Sequence, residues 1–152
     1  MRAPFTLALC AAAAGVALLG LGGLVPRASE APSRAWIAPA DAAARGNSIP
    51  SSAESIARGK KLYTGNCLAC HGESGDGQGP VAKRLGFMAG DLTDAEDLAK
   101  ETDGALFWKI STGRDPMPAF KKDKNLTDDQ IWDLVNYIRT LSHPTQTQPA
   151  QK

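Results

Sequence analysis

The stretch that decides the fold is NCLACHGESG, Asn66 to Gly75. At its centre stands Cys67-Leu68-Ala69-Cys70-His71. The whole chain holds 3 cysteines and 2 histidines, and two of the cysteines and one of the histidines fall within this one turn. Two thiols three positions apart lie on one side of a helical turn, where each can add to a vinyl group of a haem. A histidine immediately after them can present its imidazole to the iron as an axial ligand. The C-x-x-C-H pattern therefore predicts one covalently bound haem c, tethered by Cys67 and Cys70 and ligated by His71. A redox C-x-x-C would sit beside a βαβ pattern, and no segment alternates apolar and polar residues as a strand does. A zinc site would need two further ligands, and beyond the apolar N-terminus only His143 is available. A disulfide framework would need an even set of spaced cysteines, whereas the third, Cys10, lies in the apolar N-terminus.

Helices flank the motif. From Ser55 to Gly65, Ile56, Leu62 and Tyr63 are separated by Arg58, Lys60 and Lys61, which predicts a short amphipathic helix stopped at Gly65-Asn66. The C-terminal helix carries fuller punctuation. Thr127 is an N-cap with Gln130 three residues on, a capping box, and Asp128 and Asp129 suit the positive end of the helix dipole. Ile131, Leu134, Val135, Ile138 and Leu141 then recur at spacings of three and four, one buried stripe. Arg139 lies near the helix end and Pro144 closes the segment. Between the two, Thr102 or Asp103 can cap a helix through Ala105, Leu106, Phe107, Trp108 and Ile110, ending at Gly113. A weaker turn is expected from Thr93 to Lys100. The fold class is all-α.

The other axial position has two thioether candidates. Met117 lies in Asp115-Pro116-Met117-Pro118, where flanking prolines stiffen the loop. A stiff loop can hold a thioether against a metal, and Met/His ligation raises the potential of the iron and suits electron transfer. Met88, in Gly86-Phe87-Met88-Ala89-Gly90, has a looser setting and is expected to pack near the haem edge. His143, beside Pro144, reads as a surface residue.

Charge excludes nucleic acid as a partner. Lys plus Arg is 17 and Asp plus Glu is 16, for a net charge of +1. From Ser51 to His143 there are 12 basic and 14 acidic side chains, with no basic stripe. The small group Lys121, Lys122 and Lys124 reads as a solvated loop. The N-terminus is an address. Residues 5–25 carry no charge over 21 positions, where a membrane span needs about 20 and a signal core about 7–15. Arg2 before it favours an N-terminus kept in the cytoplasm and a chain exported behind it. Two readings stay open for residues 1–25, an uncleaved anchor and a cleaved signal, whose nearest cleavage site is Ser29-Glu30-Ala31 before Pro32. A lipid anchor on Cys10 is disfavoured by bulky Leu9. Residues 26–52, with Pro26, Pro32, Pro39 and Pro50, read as an Ala/Pro/Ser-rich linker, the alternative being partial packing through Trp36 and Ile37. Residues 53–143 form the haem domain, and residues 144–152 a disordered tail.

With these residues in place the chain resembles a class I cytochrome c over about Ser55 to Ser142. In that family a Gly and an aromatic on the N-terminal helix cross a Leu and an aromatic on the C-terminal helix. Gly59 and Tyr63 match the first pair, Leu134 and Tyr137 the second. The resemblance further implies that the Pro80 carbonyl accepts the Nδ1–H of His71, that Met117-Pro118 is the Met-ligand loop, and that Trp108 stands near a haem propionate. The pattern is similar to membrane-tethered monohaem cytochromes. It implies a periplasm-facing electron carrier and not an enzyme, cycling Fe(II) and Fe(III) with redox partner proteins such as a dehydrogenase, an oxidase or a quinol-oxidising complex. A haem-bearing subunit of a larger respiratory or dehydrogenase membrane complex is the alternative. A peroxidase or gas sensor would need an open axial site.

Overall fold

The computed structural model describes residues 35–142. The expected N-terminal anchor, the proximal part of the linker, His143 and the tail lie outside them. Among the described residues there are eight helices and no strand: α1 Ala40–Ala43, α2 Ala53–Asn66, α3 Leu68–His71, α4 Pro80–Leu85, α5 Ala95–Lys100, α6 Asp103–Thr112, α7 Phe120–Asp123 and α8 Asp128–Leu141. The all-α expectation is met.

The frame is the crossing of α2 and α8. Gly59 makes it possible: a Cβ built there would lie 2.0 Å from the Asp133 carbonyl oxygen and 2.8 Å from the Tyr137 Cβ. Only a residue without a side chain lets two helix backbones approach that closely. One turn along, the rings of Tyr63 and Tyr137 pack with centroids 5.2 Å apart and planes tilted by 59°, within the favoured range for aromatic pairs. Beneath them Ile131, Trp132, Leu134 and Val135 are fully buried. Each such aliphatic side chain contributes roughly 1.5–3 kcal/mol of transfer free energy, an upper estimate.

The crossing also buries a polar network. Ser55 Oγ donates to Asp133 Oδ1 at 2.8 Å, and Asn136 Nδ2 donates to Ser55 Oγ at 2.7 Å. Arg58 grips the same carboxylate from the rim, with Nε and Nη2 at 2.7 and 2.8 Å. No apolar stripe predicts this network, because its members occupy the polar positions of both helices.

The caps read from the sequence are in place. Thr127 and Gln130 form the reciprocal capping box of α8. The Thr102 hydroxyl accepts from the Ala105 amide to start α6, which stops at Gly113. The weak turn before it is the short helix α5, capped by Asp94. Arg139 then ties α8 to the α5–α6 junction: Nη1 donates to the Leu98 carbonyl at 2.7 Å, Nη2 to the Glu101 carbonyl at 2.6 Å, and Nε to Asp103 at 2.8 Å.

Residues 36–50, read as linker, instead pack on the haem domain. Helix α1 lies against α6, Ala38 is buried, and Ile49 packs against the core. Asn47 donates to Asn136 Oδ1 at 2.8 Å. The Ala- and Pro-rich composition hides this, since the contacts are made by backbone and by isolated side chains and not by an apolar stripe. Of the two suggested anchors, Trp36 makes a ring contact with Trp108, whereas Ile37 is 77% exposed.

Candidate haem site

The motif is placed by the end of α2. Cys67 is the C-cap of α2 and starts α3. The Cys70 and His71 amides both donate to the Cys67 carbonyl, at 3.0 and 2.9 Å, which is the single helical turn that sets both thiols and the imidazole on one side. Tyr63, buried in the crossing, donates its hydroxyl to the Gly72 carbonyl at 2.7 Å, so the main frame fixes the residue after His71 directly. Burial pushes the Tyr63 phenol well above its usual range.

Cys67, Cys70 and His71 face one cavity of about 660 Å³, a size in the range of roughly 300–1,000 Å³ typical of cofactor sites. Its walls are largely apolar and include Leu98, Leu106, Ile110, Phe120 and Ile138. Burial, with Cys70 adding to it, pushes the Cys67 thiol up to about 12. Among the described residues no three His, Cys, Asp or Glu side chains converge on a bare metal ion. The donor set fits an iron whose remaining ligands come from a macrocycle: one imidazole, nearby thioethers, two thiols for tethers and an apolar pocket of the right volume.

Both methionine candidates line this cavity, in different ways. Met117 packs against the core. It is held by reciprocal backbone bonds with Arg114, at 3.0 and 2.8 Å. Gly113 starts this loop with φ +61°, and a Cβ there would meet the Pro118 backbone at 2.4 Å, so the loop needs glycine at that point. Met88 is 86% exposed.

The imidazole of His71 has a defined partner. Its Nδ1 lies 3.0 Å from the Gly90 carbonyl oxygen. A carbonyl only accepts, so Nδ1 carries the proton and Nε2 keeps the lone pair a metal needs. The acceptor differs from the one implied by the resemblance. Pro80 opens α4 as its first residue and is not among the cavity-lining residues, which include Met88, Ala89 and Gly90. Trp108 is also outside the lining. Its ring meets Trp36 at 6.4 Å, and Trp36 is the indole that reaches the cavity. The sequence offers Trp36 only as a packing anchor and Gly90 only as a loop glycine beside Met88, because neither belongs to a periodic segment or a motif. An isolated tryptophan inside a Pro-rich stretch was the one available signal.

Charged groups gather at the rim. Lys109 pairs with Glu101, and Lys109 and Arg114 both stand over the Trp36 ring, at 5.6 and 4.9 Å from its centroid. Asp91 is held below the usual carboxylate range by hydrogen bonds from the Thr93 hydroxyl and amide.

Comparison with known proteins agrees with this geometry. The family profile described as Cytochrome c matches residues 56–142. The chain is 34% identical over 84 residues to cytochrome c6 of Parathermosynechococcus lividus, covering 55% of this chain and 86% of that one. It is 40% identical over 82 residues to cytochrome c6 of Leptolyngbya boryana, covering 54% and 87%. A solved structure, the reducing HAO-like protein complex of Kuenenia stuttgartiensis, contains a similar chain with TM-score 0.51 and 31% identity, over 61% of this chain and 46% of that one. Haem c is attached through Cys67 and Cys70, the activity the fold carries is monohaem electron transfer, and the chain belongs to the cytochrome c family as a class I c-type cytochrome.

Proposed function

We propose that this cytochrome is an electron carrier on the periplasmic side of the cytoplasmic membrane, with His71 and Met117 as the axial ligands of its iron. The observation that carries the reading is that the imidazole with its Nδ1–H engaged and a thioether on a proline-flanked, backbone-clamped loop line the same apolar cavity. The haem supplies one-electron Fe(II)/Fe(III) chemistry, and the chain supplies everything around it. His71 offers Nε2, Met117 offers a soft sulfur that favours the reduced state, and the aliphatic wall excludes water. A filled axial pair suits electron transfer and leaves no place for the open-site chemistry of a peroxidase or gas sensor. Export and tethering rest on residues 5–25. Among the described residues no helix is long and apolar enough to cross a membrane.

Replacing each methionine tests the ligand. In Met117→Ala the sulfur–iron charge-transfer band of the oxidised protein should vanish and the potential fall. In Met88→Ala both should be unchanged. The reverse pattern would transfer the role to Met88.

A second reading, a haem-bearing subunit of a larger complex, is favoured by the likeness to a chain of the Kuenenia stuttgartiensis assembly. Co-purification with a stable complex after gentle detergent extraction would select it over the free carrier.

A further inference from the structure

The family match begins at residue 56, but the cavity wall begins earlier, at Trp36. The domain carries a built receptor for the segment that brings Trp36 there. At Gly104 a Cβ would lie 2.3 Å from the Ala42 carbonyl oxygen and 2.6 Å from that of Arg45, so α6 keeps a bare backbone where the segment crosses. Thr102, besides capping α6, donates its hydroxyl to the Ala43 carbonyl at 2.7 Å. The Arg45 guanidinium covers the Phe107 ring at 4.3 Å and pairs with Asp128 at 2.9 Å. Asn136, from the core network, donates to the Ile49 carbonyl at 3.1 Å. At the far end the Trp36 indole meets Trp108 and lies under Lys109 and Arg114, and all of these but Trp108 line the cavity.

We propose that residues 36–50 are a strap belonging to the haem site, and that Trp36 is its positioning residue. The indole excludes water from the cavity rim and holds the Lys109 and Arg114 cations at the cavity wall, Lys109 while paired with Glu101, where their charge complements the two carboxylates of the cofactor. Both effects act on the redox equilibrium in the same direction. Water at the rim favours the more highly charged ferric state, and so does loss of ordered cations beside the carboxylates. This inference requires the haem but is independent of which methionine ligates it.

The test uses the haem-loaded chain. Trp36→Ala should raise the ferric-to-ferrous ratio at fixed poise by about three- to tenfold, tenfold being 59 mV for one electron, and should speed oxidation of the ferrous form by oxygen. Gly104→Val, which lies outside the cavity wall and unseats the strap, should shift both readouts the same way. Trp36→Phe keeps a ring beneath the cations and should fall between wild type and Trp36→Ala; with Gly104→Val it decides the matter if Trp36→Ala does not accumulate. Holoproteins that lose thermal stability while keeping the wild-type potential and oxidation rate would reduce the strap to a structural brace and overturn the proposal. Absence of covalent haem in wild type, read from its pyridine haemochrome spectrum, would instead sink the haem assignment itself.

Discussion

Gly59 and Asp133 meet backbone to backbone: a Cβ on Gly59 would stand 2.0 Å from the Asp133 carbonyl oxygen. That oxygen belongs to the middle of α8 and has no flexible end to swing aside. Gly59→Ala must therefore push α2 and α8 apart, opening the Tyr63–Tyr137 contact that supports the residue after His71. The expected loss is about 3 kcal/mol, the upper part of the overpacking range, measured by denaturant titration. The same substitution at Gly65, where a Cβ meets nothing within 4 Å, should leave stability unchanged or slightly raised, since alanine is the better helix former. Equal effects at the two positions would refute the crossing as the cause.

The Asp133 carboxylate organises the polar side of that crossing. In Asp133→Ala the buried Ser55 hydroxyl loses its acceptor, and Asn136 loses the order of the group it donates to. A buried polar group left unpaired costs about 1–3 kcal/mol, so a loss near 2 kcal/mol is expected. Asp133→Asn keeps an oxygen for Ser55 and should recover most of it. If Asp133→Ala were neutral, the network would be ornamental to stability.

Asp128 gives the acid limb a definite sign. Hydrogen bonds from Lys121 and then Arg45 hold its carboxyl below the usual value of 3.8. A carboxyl depressed in the folded state contributes stability above its unfolded value, and that contribution is lost as pH falls through the folded value. Stability should thus drop below about pH 4 by an amount that Asp128→Asn makes smaller. The pair is largely exposed, so the difference should shrink in high salt. An acid limb identical in wild type and Asp128→Asn would contradict the assignment.

How much of this was legible in the sequence depends on the kind of contact. Capping residues act on their own helix, so Thr127 with Gln130 and Thr102 with Ala105 could be read locally. The Gly59–Tyr63 and Leu134–Tyr137 pairs were reached through the resemblance to class I cytochromes c, whose two crossing helices carry a glycine and aromatics at these places. Helices α1, α4 and α7 are too short to show a period. The strap is held by carbonyls against Gly104 and by Arg45 on an aromatic ring, contacts that leave no pattern in composition. The partner of His71 was misplaced for a related reason: a backbone carbonyl is offered by every residue, and only the path of the chain after α4 decides that Gly90 supplies it. At the cavity, the motif identified what is held, while the aliphatic wall came from positions that looked like ordinary core.

The two tethers are unequal in their surroundings, and their removal should be unequal too. Cys67 is buried within the core cluster, whereas Cys70 is half-buried. In Cys70→Ala the haem keeps one thioether at the better-packed position, with His71 beside it. In Cys67→Ala the remaining thioether sits at the more open position, and a small gap is left in the core at a cost of about 1 kcal/mol. Both single variants should retain haem after acid–acetone extraction, and both should show the pyridine haemochrome shift of a haem with one unsaturated vinyl group. Cys67→Ala should be the less stable holoprotein. The double variant should release its haem to the solvent, while wild type keeps all of it. Retention of haem by the extracted double variant would mean that the polypeptide holds it through some bond other than these two thioethers.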